Sequence, residues 1–298
     1  MNWELRDKDS LVICGPTASG KTRLGVAAAR ELGAEIVSVD SRQVYRGLDI
    51  GSGKDLQEYT EGGPAVPVHG IDCAQPRQVY TLWHYQQECY RAIAAIRARG
   101  RIPVLVGGSG LYLEAVLRRY RLANVPEDPA LRRELMNQNT GVLLAQLHEQ
   151  DPALFHRTDR SSRKRIVRAI EIARYGHTSQ GEQESPCAPT LIPRVMVLRW
   201  PREVLHERIR VRLVQRLDDG LIDEVRGLRE QGVTRERLMQ LGMEYAHVCR
   251  YLDNEVDYPS MTSALLRDIC RLAKRQTTWF AGMPRRGIAV EFVDRHES

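Results

Sequence analysis

Residues 11–22 read LVICGPTASGKT. Four apolar residues run into Gly15, and Gly15, Gly20, Lys21 and Thr22 fill every fixed position of the G-x-x-x-x-G-K-[ST] phosphate loop. The physics is direct: a buried strand ends, the chain turns so that several backbone N–H groups face one point, and a helix starts there with the positive end of its dipole. Gly15 and Gly20 permit backbone angles and close approach that a Cβ forbids. Lys21 brings positive charge to phosphate, and the Thr22 hydroxyl can ligate Mg²⁺. Gly15, Pro16, Thr17, Ala18, Ser19, Gly20, Lys21 and Thr22 are therefore the candidate nest for a diphosphate or polyphosphate. The motif alone does not separate a kinase, an ATPase and a transferase.

The pattern continues on both sides of this stretch. Arg23–Leu32 is helical, and AEIVSV at 34–39 predicts a second strand ending at Asp40. In open α/β sheets the carboxyl ends of strands face the ligand crevice, which predicts Asp40 on the same rim as the phosphate loop. The Gly-, Pro- and charge-rich segment 51–70 reads as a loop, and 81–99 as a helix. IPVLV at 102–106 suits a parallel strand buried on both faces. Gly107, Gly108, Ser109 and Gly110 follow it at the rim, and a helix starts at Leu111. Near Arg118 the character changes to a basic, Pro-punctuated stretch. Helical segments follow at 130–137, 142–150 and 162–175, then a polar stretch over 176–190. An apolar strand returns with VMVL at 195–198. Helices over 202–217, 221–230 and 261–280 close the chain, the first carrying Arg208, Arg212 and Arg216 as a one-sided stripe. The fold class is α/β, a P-loop NTPase-like core with a parallel sheet flanked by helices. Its expected extent is 1–117 and 191–298, with 118–190 as a helical insertion.

The 298 residues are 42 % hydrophobic and 28 % charged, ordinary for a globular protein, with a net charge of +6. The excess is concentrated: Arg157, Arg160, Arg163, Lys164, Arg165, Arg168 and Arg174 face only Asp159 and Glu171 between 157 and 174. That field suits a polyanion such as RNA and also suits a solvated surface helix. The six cysteines show no C-x-x-C pair and no zinc-finger spacing, so they read as reduced, cytosolic thiols. The opening MNWELRDKDS has no apolar signal core, and no apolar run is long enough for a membrane span.

Taken together, the motifs resemble the tRNA dimethylallyltransferase (tRNA isopentenyltransferase) family in its short bacterial form. The matching pieces are GPTASGKT at 15–22, DSRQVYRGLDIG at 40–51, GGSGLYLEA at 107–115, RKRIVRAIE at 163–171, RLVQRLDDGLIDEV at 212–225 and AKRQTTWF at 273–280. They keep the family's order over most of the chain, and the second and last blocks are the more specific. The chain departs from the family pattern with Ser109 in place of Thr, with DIGSGK, and with Gly242-Met243-Glu244-Tyr245 where G-Y-[KR]-E is common. The zinc finger of eukaryotic relatives is missing. The resemblance implies transfer of a dimethylallyl group from dimethylallyl diphosphate to N6 of adenine 37 in tRNA, by a cytoplasmic monomer. It assigns catalysis to Asp40, Thr22 and Arg212, with Asp40 taking the N6 proton. Arg212 joins the loop on the diphosphate, and Mg²⁺ binds at Thr22. Asp40, Ser41, Arg42, Gln43, Ser109, Lys164, Arg165 and Arg168 are implied to contact tRNA. Alternatives stay open at this level. Asp40 is also readable as a metal ligand or helix cap, Arg165 and Arg168 as partners of Glu171, and Tyr45 and Tyr112 as pocket or packing residues. Trp279 and Phe280 are expected as core anchors. A prenyltransferase acting on free AMP, a P-loop small-molecule kinase and a non-catalytic RNA-binding NTPase are the competing functions.

Overall fold

The computed structural model describes residues 3–176 and 188–296. The chain divides into two compact units, one of residues 1–120 and 188–298 and one of residues 121–187.

The larger unit opens with β1 (Ser10–Cys14), α1 (Lys21–Leu32), β2 (Glu35–Val39), β3 (Val68–His69), α2 (Leu82–Ala98), β4 (Pro103–Gly107) and α3 (Gly110–Leu117). The smaller unit holds α4 (Pro129–Met136), α5 (Thr140–Gln150), α6 (Pro152–Arg157) and α7 (Arg163–Gly176). The larger unit resumes with β5 (Pro193–Arg199), α8 (Arg202–Asp218), α9 (Leu221–Glu230), α10 (Arg235–Leu241), α11 (Met243–Leu252), α12 (Tyr258–Ala281) and β6 (Glu291–Asp294).

The strands form one six-stranded sheet in the order β3-β2-β4-β1-β5-β6, with every pairing parallel. The central strands β1, β2 and β4 are buried along their whole length, as a sheet covered on both faces requires, and the polar Ser10, Glu35 and Ser38 are buried with the apolar residues. One layer packs Val26, Ala28 and Ala29 of α1 against Leu11, Ile13, Ile36 and Val104. The other packs Tyr85, Cys89 and Ile93 of α2 and Phe280 of α12 against Val12, Cys14, Val37 and Leu105. Helices α8 to α12 build a further core around Leu213, Leu221, Tyr245 and Leu265. The segment 51–70, expected to be a loop throughout, contains a 3₁₀ turn at Leu56–Tyr59 and the edge strand β3. Helices α6, α10 and α11 and strand β6 were not predicted; all are short, and neither α6 nor β6 buries a residue fully.

The smaller unit packs Leu135, Leu143, Leu147, Ile166 and Ile170 together. Glu171 is buried there and accepts hydrogen bonds from Arg132, from Arg168 and from the Asp128 N–H. These bonds hold its carboxyl below its ordinary value against the opposing effect of burial.

Glu35 at the start of β2 is 2 % exposed and bonds Arg99 at 2.7 and 2.9 Å, His69 at 2.7 Å and Arg101 at 3.4 Å. The Arg99 bonds, with help from His69, hold its carboxyl at about 2. A depressed carboxyl contributes stability that is complete above its ordinary value near 4.5 and is lost as pH falls towards 2. Glu35→Gln is expected to lose about 2 kcal/mol at neutral pH. Urea titrations should show a shallower fall in stability between pH 5 and 3 for the variant than for the parent chain.

Candidate active site

The carboxyl ends of β1, β2 and β4 open into one cleft of about 990 Å³. Thr17, Ala18, Gly20, Lys21 and Thr22 line it from the loop after β1. Asp40, Ser41, Arg42 and Gln43 line it from the turn after β2, and Gly108 and Ser109 from the turn after β4. Arg208, Arg212 and Arg216 enter from α8. The topology brings these groups together, because parallel strands carry all their carboxyl ends to one side.

The loop after β1 is held from outside by its carbonyls. Ala18 takes a left-handed backbone with φ 60°, and Gly20 follows with φ 78°, a conformation a Cβ would strain. Arg208 Nε donates to the Ala18 carbonyl at 2.9 Å, and Trp200 Nε1 donates to the Ser19 carbonyl at 3.1 Å. The Arg208 guanidinium lies 4.4 Å from the Trp200 ring centre, so the two braces support each other. Lys21 Nζ reaches the Pro16 carbonyl at 3.3 Å, while Gly15 is packed within the loop against Leu198. The Ser19 hydroxyl is buried without a partner. Thr22 is half-buried on the first turn of α1.

Burial pulls the Lys21 ammonium down to about 8; repulsion from Arg212 and Arg216 adds to this, and attraction to Asp40 and Asp55 opposes it. Arg212 forms an ion pair with Asp55, and Arg216 lies 3.9 Å from Glu244. The stripe on α8 is thus divided. Arg208 supports the loop, and Arg212 and Arg216 supply the charge opposite Lys21.

On the facing rim, Asp40 Oδ1 accepts the Arg42 N–H at 2.8 Å, and the Ser41 N–H donates to Ser109 Oγ at 3.1 Å. Gln43 donates to the Gly53 carbonyl at 2.9 Å, and Arg42 caps α10 through the Gln240 and Leu241 carbonyls. The segment 49–55 is clamped from both sides. Glu224 accepts the N–H groups of Asp49, Ile50 and Gly51 and the Tyr245 hydroxyl. The buried Lys54 pairs with Asp49 and Asp72. Tyr245 and Glu244, in the stretch that departs from the family pattern, therefore act in this wall: one anchors it and the other lines the cleft.

Leu111, Tyr112, Val211, Met243, Leu272 and Trp279 are apolar residues in the cleft lining. Phe280 is a buried core residue, and Trp279, partly buried, packs against the same core and also lines the cleft. Glu224, Lys54, Trp200 and Gln276 were not singled out from sequence. Glu224 and Gln276 lie inside quoted motif blocks and Lys54 ends the quoted DIGSGK stretch, which is the signal available for them; Trp200 had none.

Lys164 and Arg165 of the smaller unit are exposed on α7, with Arg165 paired to Asp159. Arg168 is half-buried and bonds Glu171 together with the Val125 and Pro126 carbonyls.

Among the described residues no three His, Cys, Asp or Glu side chains converge as metal ligands, and no helix is long and apolar enough to cross a membrane.

The IPP transferase family model matches residues 43–283, and the isopentenyl transferase model matches residues 9–65. The chain is 47 % identical, over 96 % of its length and 94 % of the other's, to tRNA dimethylallyltransferase 1 of Syntrophus aciditrophicus. It is 49 % identical to tRNA dimethylallyltransferase 2 of Syntrophotalea carbinolica, over 95 % of this chain and 93 % of that one. The crystal structure of the full-length tRNA isopentenylpyrophosphate transferase from Bacillus halodurans matches with a TM-score of 0.68 at 34 % identity, covering 96 % of this chain and 90 % of that one. A eukaryotic dimethylallyltransferase acting on tRNA shares the fold, with a TM-score of 0.77 at 22 % identity over 97 % of this chain and 74 % of that one. With a family model spanning most of its length and relatives close to half identical from end to end, the chain belongs to the tRNA dimethylallyltransferase family.

Proposed function

We propose that the chain transfers a dimethylallyl group from dimethylallyl diphosphate to N6 of adenine 37 in tRNA, with release of diphosphate. The observation that carries this reading is the shared cleft, which the phosphate loop with Lys21, Arg212 and Arg216, the acidic rim with Asp40 and Ser109, and a set of apolar residues line together. The loop amides, Lys21 and Arg212 bind the diphosphate and meet the charge that develops as it leaves. Arg212 exchanges Asp55 for phosphate oxygens, a planar guanidinium suiting a pair of them. Leu111, Tyr112 and Trp279 shield the allyl group from water. Asp40 accepts an N6 hydrogen and takes the proton as the amine attacks. Ser41, Arg42, Gln43 and Ser109 hold the extruded nucleotide, and Lys164, Arg165 and Arg168 bind tRNA phosphates.

The donor set fits a hard cation that keeps most of its water. The Thr22 hydroxyl would hold Mg²⁺ beside the diphosphate oxygens, and a cluster of protein carboxylates is not needed for that. When bound, Mg²⁺ supplies further neutralisation of the leaving group.

The reading is tested by offering tRNA and AMP side by side with labelled dimethylallyl diphosphate; label should enter tRNA alone. Label in AMP, or ATP consumption without prenyl transfer, would replace the proposal with one of its competitors. Asp40→Asn keeps an acceptor for the Arg42 N–H and so leaves the turn in place. Its kcat should fall by roughly 10²–10⁴-fold, with tRNA affinity nearly unchanged. Proton loss from Lys21 removes a cation from the nest, so pyrophosphate affinity should fall as pH rises through about 8. The ratio of parent to Lys21→Met affinity, measured by calorimetry, should shrink over that range. Lys164→Ala should weaken tRNA binding and lower the slope of log K against log salt by about 1.

A further inference from the structure

The phosphate loop and the rim that carries Ser109 belong to different connections of the sheet, and one side chain spans them. Gln276 of α12 accepts the Thr17 N–H through Oε1 at 2.8 Å and donates from Nε2 to the Gly108 carbonyl at 2.9 Å. Thr17 lies within the nest. Gly108 precedes Ser109, which bonds the Ser41 N–H, and Ser41 follows Asp40. A path of hydrogen bonds therefore runs from the phosphate loop through one amide to the acidic rim. The amide is used at both ends, as donor to one loop and acceptor from the other, which no side chain with only one of these capacities can copy. The approach is tight. A Cβ at position 108 would lie 2.7 Å from Gln276 Nε2, so glycine there is what admits the amide. Gln276 and its neighbour Arg275 both line the cleft.

We propose that Gln276 is a positioning residue for group transfer, fixing the spacing between the diphosphate nest and the Asp40 rim so that the leaving group and the acceptor amine meet in line. This rests on reading the nest as the diphosphate site. Lys21, Arg212 and the remaining loop amides bind diphosphate without Gln276. Its loss therefore leaves affinity in place and costs turnover, a misplacement of about 1 Å being worth on the order of 10²-fold in rate.

Gln276→Glu makes the bridge titratable. As a carboxylate it accepts from Thr17 but turns an acceptor onto the Gly108 carbonyl; as the neutral acid it donates there and restores both bonds. Three variants, Gln276→Glu, Gln276→Ala and Gly108→Ala, are compared with the parent chain at each pH from 8 to 5.5. The readouts are kcat, KM for dimethylallyl diphosphate, pyrophosphate affinity and thermal midpoint. The expected result is a kcat loss on the order of 10²-fold in all three at pH 8, with KM and pyrophosphate affinity within about threefold. The loss in Gln276→Glu should shrink several-fold towards pH 5.5 while the loss in Gln276→Ala stays constant. A variant kcat within twofold of the parent, a loss carried by KM and pyrophosphate affinity instead, or a Gln276→Glu loss that does not change with pH would overturn the proposal. If Gln276→Ala does not fold, the pH ratio of Gln276→Glu, read against its own value at pH 8, decides. Absence of prenyl transfer by the parent chain is a different result. It refutes the underlying activity, and it is seen before any variant is compared.

Discussion

Eight residues, from Gly15 to Thr22, must turn a strand into a helix while gathering several backbone N–H groups into one loop, and the rest of the larger unit depends on that turn. N–H groups gathered in this way repel one another, and carbonyls thrown outward need partners. Those partners come from far along the chain: Trp200 and Arg208 hold carbonyls, and Gln276 holds an amide. The sheet supplies a rigid base, and α8 and α12 supply the braces. A nest stabilised only by its own sequence would relax when no anion is present; this one is held by side chains that do not need the anion.

The electrostatic design follows. Lys21, Arg212 and Arg216 crowd one wall, and their mutual repulsion is partly offset by Asp55, Asp40 and Glu244. The carboxylates moderate that repulsion and leave the wall a positive field of the kind that suits an anion. The clamp on residues 49–55 matters for the same reason. Asp55 meets Arg212 at a defined position because Glu224, Tyr245 and Lys54 fix the backbone that carries it.

Much of this was legible in the sequence, for identifiable reasons. The phosphate loop announces itself because its chemistry needs fixed residues at fixed spacing. Strands β1, β4 and β5 were readable because burial on both faces forces continuous apolar runs, and β2 from a run over 36–39 that only Ser38 interrupts. Asp40 was placed on the rim by topology alone. The bracing contacts were not legible, although Arg208 and Gln276 stood in named stretches. Trp200, Arg208 and Gln276 act on backbone groups 181 to 259 residues away, and no local period encodes such a contact. Trp279 and Phe280 end an amphipathic helix: Phe280 is fully buried in the core, and Trp279 packs against that core while also bordering the cleft. The short strand β6 escaped notice because four residues at an edge carry too little pattern.

That edge strand has a consequence of its own. Glu291 and Asp294 stand at its two ends, each in an ion pair with an arginine of β5, Arg194 and Arg199. The opposite border of the sheet is the two-residue β3. A sheet with one charged margin and one stunted margin offers a poor template for a stray strand from another molecule. The fold thereby guards a wide, apolar, parallel sheet against edgewise assembly into fibres.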